Sequence, residues 1–255
     1  MKPRICILKT DGINCDQETA YAFKKAGGDP SIVSVHALKH DKKLLDNFQI
    51  IALPGGFSYG DDVASGKIFA VELLAHLKDQ LHEFVSQDKL IMGICNGFQV
   101  LTQLGLLPFK TIGTKQATLA HNSSNKFECR WVTIRIEKSP CIFTQGLEDT
   151  EVSLQVAHGE GKFFTSLELL NEIEQQGLVP LRYTYQSTPT QEYPHNPNGS
   201  LHAIAGICDT SGKIFGLMPH PERYVETQQH PNWRRSPDTN PHGLLFFKRA
   251  VEYVQ

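Results

Sequence analysis

Short apolar runs alternate with amphipathic stretches through the first half of the chain. Arg4–Lys9 (RICILK) predicts a strand, and Asp16–Ala26 has helical spacing that stops at Gly27-Gly28, a helix C-terminal signal. Ser31–Val35 and Gln49–Leu53 predict two more strands, the second ending at Pro54-Gly55-Gly56. Lys67–Ser86 sets Ile68, Val71, Leu74, Leu77, Leu81 and Phe84–Val85 at helical spacing. Lys89–Ile94 (KLIMGI) is apolar almost throughout, the pattern of a central parallel strand covered on both faces. A helix over Gly97–Leu104 follows and ends at Gly105. This alternation predicts an α/β class fold with a doubly wound, mostly parallel sheet.

The second half changes period. Lys126–Glu137, Val152–Ala157, Leu178–Tyr185, His202–Ile207 and Lys213–Met218 read as strands, which adds antiparallel pairing to the sheet. Asn198-Gly199 and Ser211-Gly212 read as hairpin turns. Ser166–Gln176 reads as a helix capped by its serine, and Leu244–Val254 as a closing amphipathic helix. Between them, Val225–Pro241 is polar, Pro-rich and without periodicity, and suggests no role. With no internal repeat and no clear linker, residues 1–255 read as a single domain.

Composition narrows the function classes. Twenty-five Lys and Arg balance 27 Asp and Glu for a net charge of −2, which leaves no footprint for nucleic acid or an anionic membrane. The short cluster Trp233-Arg234-Arg235 does not alter that balance. Only four apolar residues, Ile5 to Leu8, follow the basic start, too few for a signal-peptide core, and no run approaches the ~20 residues of a membrane span. The six cysteines are scattered without a Cys-x-x-Cys pair, which fits free thiols in a reducing cytoplasm. Cys6, Cys129, Cys141 and Cys208 lie on or beside strand patterns and are expected in the core, and Cys15 is expected to be structural. His36 and His40 fall in an expected loop with no further ligand at metal spacing, so no metal site is expected.

Three segments carry chemistry. Gly93-Ile94-Cys95-Asn96-Gly97 joins an apolar strand to a helix. Such a turn strains its central residue, and glycines beside it relieve crowding. The thiol then stands at a helix N-terminus, where N–H groups and the dipole favour a thiolate and can hold an oxyanion. The pentapeptide favours that reading, with a buried cysteine at a strand end as the alternative. Gly216–Arg223 sends His220 out of a strand between Pro219 and Pro221, with Glu222 two residues on. A carboxylate so placed suits the orienting partner of a general base, although a solvated turn has the same pattern. Pro54–Asp61 (PGGFSYGD) follows a third strand, and its glycines allow a backbone N–H to approach a ligand, as a plain turn also would. A parallel sheet would gather all three at one edge.

The segments Gly-Ile-Cys-Asn-Gly-Phe-Gln at 93–99 and Pro-His-Pro-Glu-Arg at 219–223 resemble those of the class I, triad glutamine amidotransferases, and the resemblance runs from the first strand to the last helix. Gly12–Asp16, Pro54–Asp61, Ala157–Gly161 and Asn196–Ser200 resemble one subgroup, the glutaminase subunits of phosphoribosylformylglycinamidine synthases. At 62–65 the chain has Asp-Val-Ala-Ser in place of a Tyr-Leu-Arg-Ala common in that subgroup. The resemblance implies a flavodoxin-like fold with Cys95 as nucleophile, His220 as base and Glu222 as its partner. It implies an oxyanion hole from the N–H groups of Gly56 and Asn96, and contacts to L-glutamine from Phe57 and Gln99; His158 and Glu160, in the segment 158–161, would line either the glutamine pocket or the contact with the synthetase. It also implies a large synthetase subunit and a small bridging subunit as partners, with ATP and magnesium held by the synthetase, no cofactor in this chain and an isolated chain that is nearly silent. An amidotransferase serving another synthetase, a cysteine peptidase or esterase, and a non-catalytic regulatory subunit are the alternatives.

Overall fold

A computed structural model of the chain describes residues 2–235 and 240–255; Met1 and residues 236–239, part of the loop 225–241, lie outside the described residues. The first half is built from β1 (Arg4–Lys9), α1 (Asp16–Lys25), β2 (Asp29–Ser34), α2 (Val35–His40), β3 (Ile50–Leu53), α3 (Lys67–Ser86), β4 (Leu90–Ile94) and α4 (Asn96–Leu104). The second holds β5 (Thr118–His121), β6 (Glu128–Ile136), β7 (Glu151–His158), β8 (Glu160–Phe164), α5 (Leu167–Gln175), β9 (Leu181–Tyr185), the two-residue β10 (Thr188–Pro189), β11 (Ile204–Cys208), β12 (Ile214–Leu217) and α6 (Gly243–Tyr253).

One large sheet runs through both halves in the order β2-β1-β3-β4-β12-β11-β9-β6-β7, with β10 beside β9. The pairs from β2 to β12 are parallel. From β12 onward every pair is antiparallel. The observed architecture is thus a doubly wound parallel half, β2 to β12, extended by antiparallel additions. Strands β3, β4, β11 and β12 are buried at every position, which explains their unbroken apolar sequences. Helix α1 packs with α6, Phe23 meeting Phe247 edge to face at 4.9 Å, while α3 packs with α4, so each face of the sheet has helical cover. Asp16 and Glu18 open α1 and Lys24 and Lys25 close it, each charge matched to the helix dipole. The expected serine cap of α5 is present, the Ser166 hydroxyl accepting from the Leu169 N–H.

Several local expectations fail for identifiable reasons. His36 and His40 lie in α2 rather than in a loop; Ser34 caps this one-and-a-half-turn helix, too short to give a clear period. Their Nε2 atoms approach to 3.0 Å. Ser211-Gly212 does join the β11–β12 hairpin, but Asn198-Gly199 is no hairpin turn. Asn196, Asn198 and Ser200 instead form a buried polar knot. Asn198 Nδ2 donates to the Gly161 carbonyl at 2.8 Å and Ser200 Oγ accepts from the Phe163 N–H at 2.9 Å, which ties the knot to β8. Cys6, Cys141 and Cys208 are buried, whereas Cys129 is exposed, because it sits on the outward face of β6. Among the described residues no helix is long and apolar enough to cross a membrane.

Candidate active site

Three loops leave the C-terminal ends of β3, β4 and β12 at one edge of the sheet. At the second, Cys95 adopts φ 51° and ψ −104° between β4 and α4. This left-handed conformation is costly for a residue with a Cβ and persists only where the surroundings impose it. Two of those surroundings are visible. The Cys95 N–H donates to the Leu217 carbonyl of β12 at 2.8 Å. Gly97 lies so close to β3 that a Cβ there would stand 1.9 Å from the Leu53 carbonyl oxygen. Gly97→Ala is therefore expected to lower stability by at least about 2–3 kcal/mol, measured by chemical denaturation, because neither backbone can yield without moving the elbow.

His220 is fixed through its backbone, its N–H donating to the Gln155 carbonyl at 2.8 Å as the chain leaves β12. Pro221 then starts a short 3-10 turn that brings Glu222 back under the ring. Glu222 Oε1 lies 2.6 Å from His220 Nδ1, and the two side chains are 0% and 1% exposed. That leaves Nε2 for a second partner, and no fixed partner is present there. The Cys95 thiol, 5% exposed, lies beside the ring. Burial alone would lower the pKa of His220, but the Glu222 carboxylate and Cys95 outweigh it and hold the value well above the ordinary one. The imidazolium is therefore the favoured form of a ring locked between an acid and a thiol.

The loop after β3 supplies the third wall. Gly56 has φ 146° and forms an isolated bridge with Ile13, its neighbours bonding as Phe57 N–H to Gly12 O at 2.9 Å and Cys15 N–H to Gly55 O at 3.2 Å. The Gly56 N–H takes part in neither bond. The Asn96 N–H belongs to the first turn of α4, where N–H groups have no partner within the helix. Phe57, 44% exposed, lies at the rim. Tyr59, Asp61 and Val63 follow with φ of 54°, 55° and 72°, three non-glycine residues in the left-handed region within five positions.

A cavity of about 200 Å³ opens on Cys95 and is lined by Phe57, Gln99, His158 and Glu160, the four candidate substrate contacts, together with Asp61 and Ser65. Gln99 donates from Nε2 to the Glu160 carbonyl at 2.5 Å and accepts from Asn96 Nδ2 at 3.0 Å. Glu160 begins β8, where the chain leaves the large sheet to pair with β5, and its carboxylate accepts from the Ser65 N–H at 3.3 Å. Asp61 accepts from Asn96 Nδ2 at 3.1 Å. Its pKa is raised, first by burial and then by the nearby Glu160 carboxylate, against the lowering hydrogen bonds of Ser65 and Asn96. Sequence reading did not single out Asp61, although the acid in GGFSYGD was visible. Its partners, Asn96 at the elbow and Glu160 a hundred residues away, were the missing information.

His158 is buried and forms a hydrogen bond between Nδ1 and Asn122 Oδ1 at 3.1 Å, while Asn122 Nδ2 donates to the His158 carbonyl at 2.8 Å. Burial, then the charge of His220, takes its pKa down to about 3. A histidine depressed in the folded state is protonated first in the unfolded state, so stability falls as pH drops from about 6.5 towards 3. His158→Gln is expected to make the loss of unfolding free energy between about pH 7 and pH 5 smaller by roughly 2 kcal/mol in urea titrations.

A second cavity, of about 260 Å³, meets the first at Gly56, Phe57, Cys95, Phe127 and Ala157. Its own walls are Asn14, Cys129, His220 and Arg223. Behind it, Cys15 Sγ accepts from the Arg223 guanidinium at 3.3 Å. Ligand atoms of Cys15, His220 and Glu222 fall within 4.8 Å of one another, and of these Cys15 already receives the Arg223 guanidinium.

Residues 2–254 match the family model of the CobB/CobQ-like glutamine amidotransferase domain. A phosphoribosylformylglycinamidine synthase subunit PurQ from Methanococcus maripaludis is 44% identical, over 98% of this chain and 97% of its own. The subunit of that name from Dehalococcoides mccartyi is 42% identical, over 100% and 98%. A solved structure of PurLQS from Thermotoga maritima superposes with a TM-score of 0.76 at 34% identity, covering both chains completely. A glutamine amidotransferase from Thermotoga maritima, at 14% identity and a TM-score of 0.56, shares the fold. The chain thus belongs to the glutamine amidotransferases, in the family of the phosphoribosylformylglycinamidine synthase subunit PurQ.

Proposed function

We propose that the chain is the glutaminase subunit of a phosphoribosylformylglycinamidine synthase, and that it hydrolyses glutamine through a thioester on Cys95. The observation that carries the chemistry is the strained Cys95 elbow set beside a buried His220–Glu222 pair at 2.6 Å. Glutamine enters the first cavity with its ammonium against Asp61 and Glu160, while Gln99 and Phe57 confine its stem. The Cys95 thiolate attacks the side-chain amide carbon, and the N–H groups of Gly56 and Asn96 receive the oxyanion at about 2.7–3.1 Å. His220 gives its proton to the departing nitrogen and then takes one from the water that hydrolyses the thioester. Glu222 keeps the ring in place and stabilises its charged form.

Ammonia released to water becomes ammonium and loses its nucleophilicity, so such a subunit requires a consumer. The consumer in this reading is a large synthetase subunit holding ATP and magnesium, with a small bridging subunit, and the likeness to a chain of the PurLQS structure supports such an assembly. The residues at φ 54°, 55° and 72° in the loop after Gly56 cost on the order of 1–3 kcal/mol each. A partner that rearranges this loop therefore has strain to release, which fits a chain nearly silent alone. The test is ammonia release from glutamine with and without the large subunit, its ribonucleotide substrate and ATP. Marked stimulation by that set supports the assignment; stimulation only by a different synthetase, or cleavage of peptides or esters in place of glutamine, overturns it.

A further inference from the structure

A further cavity, of about 440 Å³, lies between the turn Ser123–Lys126 that joins β5 to β6 and the segment 191–199 that follows β10. It shares no lining residue with the cavities at Cys95, and its volume is in the range that takes a small organic ligand. Its two sides are held together rather than loosely apposed. The Ser123 N–H donates to the Asn198 carbonyl at 3.0 Å, and a Cβ on Gly199 would stand 2.2 Å from Ser123 Oγ. The walls therefore belong to the same buried knot that ties down β8.

The chemistry of the walls selects an anion. Lys126 lines the cavity, no carboxylate does, and Lys162 of β8 reaches the rim, its Nζ donating to Ser123 Oγ at 3.0 Å. Neither lysine has a carboxylate partner among the described residues. The acid beside them, Glu128, is buried and already answered by Arg130 and by the Ser124 hydroxyl, which donates to it at 2.6 Å. Two uncompensated ammonium groups thus converge in a chain whose net charge is −2. Ser123 Oγ accepts from Lys162, which leaves its O–H to donate to a ligand. The second element is aromatic. Tyr193 lines the cavity with its ring 60% exposed. Arg130 holds that ring from one side, its guanidinium 4.9 Å from the centroid and donating to the phenol oxygen at 2.8 Å. Cations and a hydroxyl for a phosphate, next to a steadied aromatic face for a planar base, are the two halves of nucleotide recognition. We infer that this cavity is a binding site for a mononucleotide, with its phosphate on Lys126, Lys162 and Ser123 and its base on Tyr193.

Isothermal titration calorimetry of the full chain with AMP and with adenosine, at physiological ionic strength, tests the site without depending on the glutaminase reading. AMP should bind with sub-millimolar affinity and adenosine at least about tenfold more weakly, because only AMP carries the charge the lysines receive. Lys126→Gln and Tyr193→Ala should each weaken AMP by at least about fivefold, the first through the phosphate and the second through the base. Both side chains are exposed, so these variants are expected to fold as wild type does. Saturating L-glutamine should not displace AMP, since the two cavities share no wall. No AMP binding to the wild-type chain, equal binding of AMP and adenosine, or displacement of AMP by glutamine overturns the site. Weakening by the lysine change alone reduces it to a bare anion site and overturns the nucleotide assignment, as weakening by the tyrosine change alone overturns the phosphate contact.

Discussion

Cys95→Ala is expected to reduce glutamine hydrolysis in the complete complex by roughly 10⁴- to 10⁶-fold, the loss typical of removing a covalent nucleophile from a unit that acts together. The fold should survive. Alanine keeps the Cβ that already tolerates φ 51°, and the bond from residue 95 N–H to the Leu217 carbonyl does not involve the side chain. A melting temperature within a few degrees of wild type would show that the loss is chemical. The synthetase reaction with added ammonium should remain, since nothing in that step uses the thiol. Residual glutaminase activity near wild type would move the nucleophile elsewhere, and Cys15 and Cys129 are the other thiols close to the site.

Glu222→Gln should cost about 10³- to 10⁴-fold in kcat, with little change in KM. The carboxylate is buried and bonds His220 Nδ1 at 2.6 Å, so its charge acts at close range in a site that excludes water. An amide of the same shape keeps the packing and loses the charge. The sign of the pH effect follows. Burial lowers the His220 pKa and Glu222 and Cys95 raise it, with the net value well above the ordinary one. Removing the Glu222 charge brings that value down, so the alkaline limb of kcat/KM must move to lower pH. A raised histidine also stabilises the fold most below about pH 6.5 and loses that contribution as pH rises through its folded pKa, so Glu222→Gln should flatten this part of the stability profile. A rate loss without movement of the alkaline limb would mean that Glu222 acts only as packing.

Much of this was legible in the sequence because it rests on local patterns. Apolar runs that ended at Gly-Gly, Cys-Asn-Gly or His-Pro located the C-terminal ends of β3, β4 and β12, and the parallel sheet then gathered those ends at one edge. What escaped depends on pairing between distant segments. Asp61 becomes part of the site only through Asn96 and Glu160. The short β5 and β8, each without strong alternation, become strands only because they pair with each other. The Asn-Pro-Asn-Gly-Ser segment reads as a turn from its residue types, yet Asn198 and Ser200 are spent inward on holding β8, the strand that presents Glu160. Cys129 was expected in the core because it lies on a strand pattern, but it alternates with Val132, Ile134 and Ile136 and so falls on the outward face of β6.

The most direct test of the central claim is to quench the complex during turnover of glutamine and locate the acyl-enzyme by peptide mass spectrometry. A glutamyl adduct on the peptide carrying Cys95, formed and released as glutamate at the rate of turnover, is the predicted result. An adduct on Cys15 or Cys129, or turnover with no covalent intermediate even when Glu222→Gln slows its hydrolysis, would contradict the account.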